Sequence, residues 1–261
     1  MLNEIFRLSD YLQYLLTAKS RHGVHSPFVY NFADQILYGK KQSPYFEAIE
    51  VARRKMLKSD VSIDFKDFGG GNKSGSRQLQ ELAQNTARDA KYGRFLYRLL
   101  LAARPEYALE LGTGTGITAL YQGAALSPET PIHTIDGSAA LCDIAAYNAS
   151  QCELDNNIVF HTGTFEKMLP QLLDSMPRID YAYIDGNHRF DPTMQYFDTL
   201  LPKLHENSIL VFDDINWSEE MKRAWLHIKN HEAVTITIDI FAFGIVFFKP
   251  GREKEHFTLR Y

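Results

Sequence analysis

The sequence predicts an α/β fold: a doubly wound sheet of seven mostly parallel strands, the last antiparallel, behind a mainly helical N-terminal extension. Three observations carry this reading. From 106 to 250, short apolar runs alternate with helical patterns, as parallel strands joined by crossover helices require. A glycine-rich stretch, ELGTGTG (110–116), separates the first of those runs from a helical segment, ITALYQGAAL (117–126). Finally, AVTITIDIFAFGIVFFKP (233–250) is two β-rich runs a few residues apart, which closes the sheet with a hairpin instead of another crossover.

The strands follow in order: YALEL (107–111), IHTID (132–136), NIVFH (157–161), IDYAYID (179–185) and SILVFDD (208–214). With the hairpin they make seven. Asp191-Pro192 supplies a helix start with proline at the first helical position. Ser218, followed by Glu219 and Glu220, supplies another. Residues 1–95 read as a helical cap and 96–261 as the main domain. The cap is interrupted at 69–76, where Gly69, Gly70 and Gly71 lead into Asn72-Lys73-Ser74-Gly75-Ser76, a flexible loop that an exposed turn or a ligand-covering flap would both explain. The end of the chain, GREKEHFTLRY, reads as a polar tail or a short packed extension.

With 261 residues, 45% of them hydrophobic, the chain can bury one large core with an appendage. A formal net charge of −4 gives no global field for nucleic acid or an anionic membrane. Residues 1–105 hold 17 Lys and Arg against 10 Asp and Glu, and the remainder 11 against 22. The basic charges are scattered, as on a solvated helical surface. Cys142 and Cys152 form no ligand cluster and read as reduced thiols of a cytoplasmic protein. MLNEIFRLSDYLQYLL has acids inside its apolar pattern, so it reads as an amphipathic helix and neither a secretory signal nor a membrane span.

The glycine turn narrows the ligand. Dinucleotide turns are spaced G-x-G-x-x-G. Here Gly112, Gly114 and Gly116 are spaced G-x-G-x-G, and Ile117 stands where the third glycine belongs. A phosphate loop needs a closing Lys-Ser/Thr pair, which is absent. Glu110 directly before the turn would repel a pyrophosphate and suit a cation. This combination resembles the class I S-adenosylmethionine-dependent methyltransferases, with their Rossmann-like sheet and antiparallel last strand. The resemblance spans roughly residues 90–250. It implies that Glu110, Gly112, Gly114 and Gly116 bind the cofactor, S-adenosyl-L-methionine. It further implies that Asp136, ending the second strand, holds the ribose, and that Gly163 and Thr164 lie near the adenine.

Two acidic clusters follow the fourth and fifth strands: Asp185-Gly186-Asn187-His188 and Asp213-Asp214. They are similar to the catechol O-methyltransferase-like branch, in which such residues hold a divalent metal. The resemblance implies Asp185, Asp213 and Asp214 as ligands of Mg²⁺ or another divalent cation, since hard oxygen donors suit such ions. Asp214 departs from the branch's asparagine, and His188 stands where the branch has a lysine base; a histidine of ordinary pKa, about 6.5, suits proton removal near neutrality. Asp185 and His188 are thus the candidate catalytic pair. An ordinary helix cap would equally explain Asp213-Asp214. Lys91 and Tyr92 are candidate site residues that solvation and core packing explain better, Trp217 either walls an aromatic acceptor or packs the helix start, and His22, His25 and Phe28 read as a packed turn.

The function expected is O-methylation of a small-molecule hydroxyl, with no membrane or nucleic-acid partner and the helical cap available for specificity or a homodimer surface. The rivals are an N- or RNA-directed methyltransferase, opposed by IDGNH where base methylation wants an Asn/Asp-Pro-Pro-Tyr motif, and a non-catalytic cofactor-binding module.

Overall fold

The computed structural model describes residues 2–66, 74–251 and 253–261. The first half of the chain runs α1 (Leu2–Thr17), α2 (Pro27–Phe32), α3 (Phe46–Met56), β1 (Ser62–Lys66), β2 (Ser74–Gln78), α4 (Leu79–Thr86) and α5 (Ala90–Ala103). There follow β3 (Ala108–Leu111), α6 (Ile117–Gly123), β4 (Ile132–Asp136), α7 (Ala139–Gln151), β5 (Ile158–Thr162) and α8 (Phe165–Ser175). The last part comprises β6 (Tyr181–Ile184), α9 (Phe190–Leu200), β7 (Ile209–Asp213), α10 (Glu219–Asn230), β8 (Ile236–Asp239), β9 (Phe243–Phe247) and β10 (Glu255–Thr258). Eight of these strands form a mainly parallel sheet, and β1 and β2 pair separately as an antiparallel hairpin. The chain divides into two contact units, Gly39–Met176 and the combination of Met1–Tyr38 with Pro177–Tyr261, a grouping that differs from the 95/96 division by texture.

In the Gly39–Met176 unit, β3, β4 and β5 run parallel in that order. Ala108, Leu109, Leu111, Ile132 and Ile135 are all buried, each large apolar side chain stabilising by about 1.5–3 kcal/mol. Asp89 caps α5, its carboxylate accepting from Lys91 N–H at 2.8 Å, and a Cβ on Gly93 would stand 2.2 Å from the Tyr121 ring, so only glycine lets α5 lie this close to α6. Tyr121 in turn donates its buried hydroxyl to Glu50 at 2.8 Å, which also holds Arg53 at 3.0 Å. Burial first, and then Glu50, push the Tyr121 pKa up. This links α3 to the helix that follows the glycine turn.

In the other unit β6 and β7 are parallel, and β9 inserts antiparallel between β7 and β8, as the hairpin predicts. The count of seven strands needs one addition. The polar C-terminal stretch forms β10, parallel to β8 at the sheet edge, with Leu259 N–H donating to the Asp239 carbonyl at 2.8 Å. That edge is fastened to α1, where the Tyr14 hydroxyl donates to the Leu259 carbonyl at 2.7 Å and Asp10 pairs with Lys222 at 2.7 Å. Ser218 caps α10 as expected, accepting from Met221 N–H at 3.2 Å. Helix α9, however, begins at Phe190 after Arg189, so Asp191 lies inside its first turn. Phe28 packs edge-on to Phe247, in keeping with a packed turn.

Of the expected loop, residues 69–73 lie outside the described residues, and Ser74–Ser76 belong to β2. No helix among the described residues is long and apolar enough to cross a membrane.

Candidate active site

The candidate residues fall into two groups, the glycine-turn group in Gly39–Met176 and the Asp–His group in the other unit. The turn leaves β3 with Gly112, Gly114 and Gly116 all at positive φ, 103°, 53° and 86°, values that only glycine adopts without strain. Two of them are also required by packing. A Cβ on Gly114 would meet Thr86 at 2.9 Å, and one on Gly116 would meet Ala145 of α7 at 2.6 Å.

Asp136, at the end of β4, ties this turn to the next. Its carboxylate accepts from Gly114 N–H at 2.9 Å and from Ser138 N–H at 2.8 Å. The Asp136 carbonyl accepts from Gly163 N–H at 2.9 Å. Gly114, Asp136 and Gly163 therefore belong to one connected framework. Thr164 stands at the start of α8 without capping it through its side chain.

Glu110 lies deeper than its place in the sequence suggests. It is completely buried. One carboxylate oxygen accepts from Gln122 Nε2 at 2.6 Å and the other from the Thr134 hydroxyl at 2.6 Å. Thr134 also contacts the Thr113 hydroxyl at 2.7 Å. Gln122, Thr134 and Thr113 were not singled out from the sequence; a threonine inside the apolar run IHTID and a glutamine on a buried helix are the signals that point to them. They make Glu110 a brace under the turn, since satisfied buried polar groups rigidify what they join.

The second group sits after β6 and β7. Asp185 Oδ1 lies 3.3 Å from His188 Nε2. Burial pulls the His188 pKa down, but the hydrogen bond and charge of Asp185, with the charges of Asp214 and Asp213, outweigh it and raise the value to about 9. His188 is therefore cationic at neutral pH, not the base of ordinary pKa read from the sequence. The loop itself is strained: Asn187 and His188 adopt φ of 66° and 36°, and Asp214 adopts 52°. Each such residue costs about 1–3 kcal/mol, and such conformations cluster at functional sites. Asn187 donates to the Tyr196 hydroxyl at 2.9 Å, which fixes the loop to α9. Trp217 is partly exposed, with its ring centroid 6.5 Å from that of His188.

Asp213 is fully buried and engaged, accepting from the Tyr183 hydroxyl and, at 2.6 Å, from Asp214 N–H. Among the described residues no three His, Cys, Asp or Glu side chains gather into a group able to hold a metal ion. The charges of Asp185, Asp213 and Asp214 all act on His188. Lys91 and Tyr92 sit at the start of α5, the ammonium 5.6 Å from the ring centroid. Desolvation, offset in part by Asp89, lowers the Lys91 pKa.

The inserted antiparallel strand and the glycine turn braced by acids define the Rossmann-like methyltransferase fold. Comparisons agree. The family model described as a methyltransferase domain matches residues 109–215. Caffeoyl-CoA O-methyltransferase of Populus kitakamiensis is 25% identical over 154 residues, which take in 54% of this chain and 64% of that enzyme, so the likeness spans less than two thirds of the relative. Among solved structures, the O-methyltransferase from Bacillus cereus in complex with SAH has a TM-score of 0.55 at 18% identity, covering 79% of this chain and 90% of that one. Podospora anserina methyltransferase PaMTH1, bound to SAH, has a TM-score of 0.61 at 14% identity, covering 87% and 99%. The resemblance to class I methyltransferases of the catechol O-methyltransferase-like branch stands on these findings.

Proposed function

We propose that this chain is an S-adenosylmethionine-dependent methyltransferase acting on a hydroxyl of a small molecule. One observation carries the reading: the Gly112–Gly116 turn is held open by three left-handed glycines while acids, not cations, support it from β3 and β4. Such a turn suits a ligand with an amino group and a sulfonium and disfavours a pyrophosphate. The SAH named with the Bacillus cereus O-methyltransferase and with the Podospora anserina methyltransferase, which share this fold, supports it further.

In the transfer, a lone pair on the acceptor oxygen forms a bond to the methyl carbon as the carbon–sulfur bond breaks. The sulfur keeps that electron pair and becomes a neutral thioether, and the hydroxyl proton passes from the acceptor to the Asp185 carboxylate. The protein's task is alignment and management of that proton. For the second, the Asp185 carboxylate is the proton acceptor of the pair, held in place by the cationic His188, and Trp217 offers a face to an aromatic acceptor. The three carboxylates are oxygen donors that a divalent cation would accept only after rearranging, because Asp213 already serves Tyr183 and Asp214. No step is assigned to such an ion.

Calorimetric titration with S-adenosylhomocysteine and, separately, NAD tests the cofactor, with binding of the first alone expected. Mass-spectrometric detection of methyl transfer to catechol and phenol acceptors tests the reaction. Binding of NAD in place of the homocysteine nucleoside would overturn the reading; nucleoside binding with no transfer would leave a binding module.

A further inference from the structure

Between α3 and α7 lies a cavity of about 520 Å³, within the size range of small-molecule sites. Its walls are mainly apolar: Ala48, Val51, Ala52 and Met56 from α3, with Ile144 and Tyr147 from α7. None of the residues assigned to cofactor or acceptor lines it.

One wall residue is polar and buried. Asn148 is only 5% exposed. Its amide nitrogen donates to Met56 Sδ and to the Thr115 carbonyl, both at 3.1 Å. Because that carbonyl can only accept, the orientation of the amide is fixed. Oδ1 then accepts no hydrogen bond from any described residue, and an N–H or O–H on a bound molecule would satisfy it. The charged residues of the lining, Glu47, Lys55 and Asp143, are exposed at the rim and Glu47 already pairs with Arg54. A charge buried among the apolar walls would therefore find no buried partner.

We propose that this cavity binds an uncharged, mainly apolar small molecule carrying one N–H or O–H donor, and that occupancy is transmitted through Asn148 to the Gly112–Gly116 turn. The transmission rests on the cofactor reading above; the cavity site does not. Asn148 belongs at once to the cavity wall and, through Thr115, to the turn, so a molecule that draws on its amide shifts a group the turn depends on.

N-phenyl-1-naphthylamine, uncharged with two aromatic systems and one N–H, is a suitable probe because its fluorescence rises in apolar surroundings. The full chain should show one saturable site that persists when S-adenosylhomocysteine is saturating. Ala48→Trp, which places an indole in the cavity, should abolish the signal; if that chain does not fold, Val51→Lys at a partly exposed wall position carries the same test. Failure of the probe to bind, survival of binding in the folded variants, or displacement by the nucleoside would overturn the site. With the probe saturating, nucleoside affinity should change by about fivefold or more, the scale of ordinary allosteric coupling, and an unchanged affinity would overturn the transmission. Calorimetry with the nucleoside alone separates the two: no binding there refutes the cofactor reading and leaves the probe experiment intact.

Discussion

The glycine turn after β3 and the loops after β6 and β7 solve one backbone problem in opposite ways. Both need left-handed conformations at the end of a strand. The turn uses glycine at Gly112, Gly114 and Gly116, whereas the loops place Asn187, His188 and Asp214 there, with side chains that raise the energy of the conformation. In the first region the backbone's own shape is what matters. In the second, strain is accepted so that particular side chains stand in particular places, and those side chains are where chemistry is to be sought.

The sharpest way to break this contrast is Gly116→Val. It adds a branched side chain at φ 86° where a Cβ already falls 2.6 Å from Ala145. The expected loss is about 3 kcal/mol or more, from strain and overpacking together, read from urea unfolding. A stable Gly116→Val chain that still binds S-adenosylhomocysteine would show that the turn's shape is not what its glycines serve.

Next in size is Asp136→Ala. It removes the acceptor for Gly114 and Ser138 N–H and should weaken nucleoside binding by about tenfold to a hundredfold, the worth of one to two charge-assisted hydrogen bonds. Calorimetry measures it. Full affinity in that variant would remove Asp136 from the cofactor framework.

Asp214→Gly sharpens the other side. Glycine takes φ 52° without strain, so stability should hold or rise by up to about 1 kcal/mol. Methyl transfer should fall while nucleoside affinity is kept. If transfer is unchanged, the Asp214 side chain is a bystander and its strained backbone has another cause.

The same contrast explains what the sequence disclosed. Strands β3, β6 and β7 and the β8–β9 hairpin were legible because burial on both faces demands continuous apolar runs, as in YAYI with all four residues buried. The strand β10 was not, because three of the four residues of EHFT are polar and it becomes a strand only through its edge pairing with β8. The left-handed glycines were visible as glycines. The burial of Glu110 was hidden, since its partners Gln122 and Thr134 lie 12 and 24 residues away. So was the raised pKa of His188, which depends on carboxylates from two separate strand ends.

The smallest effect belongs to the braced half of the molecule. His133 on β4 and His161 on β5 stack with centroids 5.2 Å apart, Nδ1 of the first 3.0 Å from Nε2 of the second. Burial lowers both pKa values, and for His133 the neighbouring His161 adds to the effect. Their folded-state values thus lie below the unfolded value of about 6.5. As pH falls through 6.5 the unfolded chain takes up protons that the folded pair refuses, so stability declines until the folded values are passed. Above 6.5 both states are neutral and the pair leaves no pH dependence. Replacing His133 with Phe should flatten the decline in urea-unfolding free energy between pH 7 and 5 without altering stability at pH 8 by more than about 1 kcal/mol. A slope that survives the substitution would assign the acid sensitivity to the other imidazoles whose values lie below the ordinary one, His161 and His256.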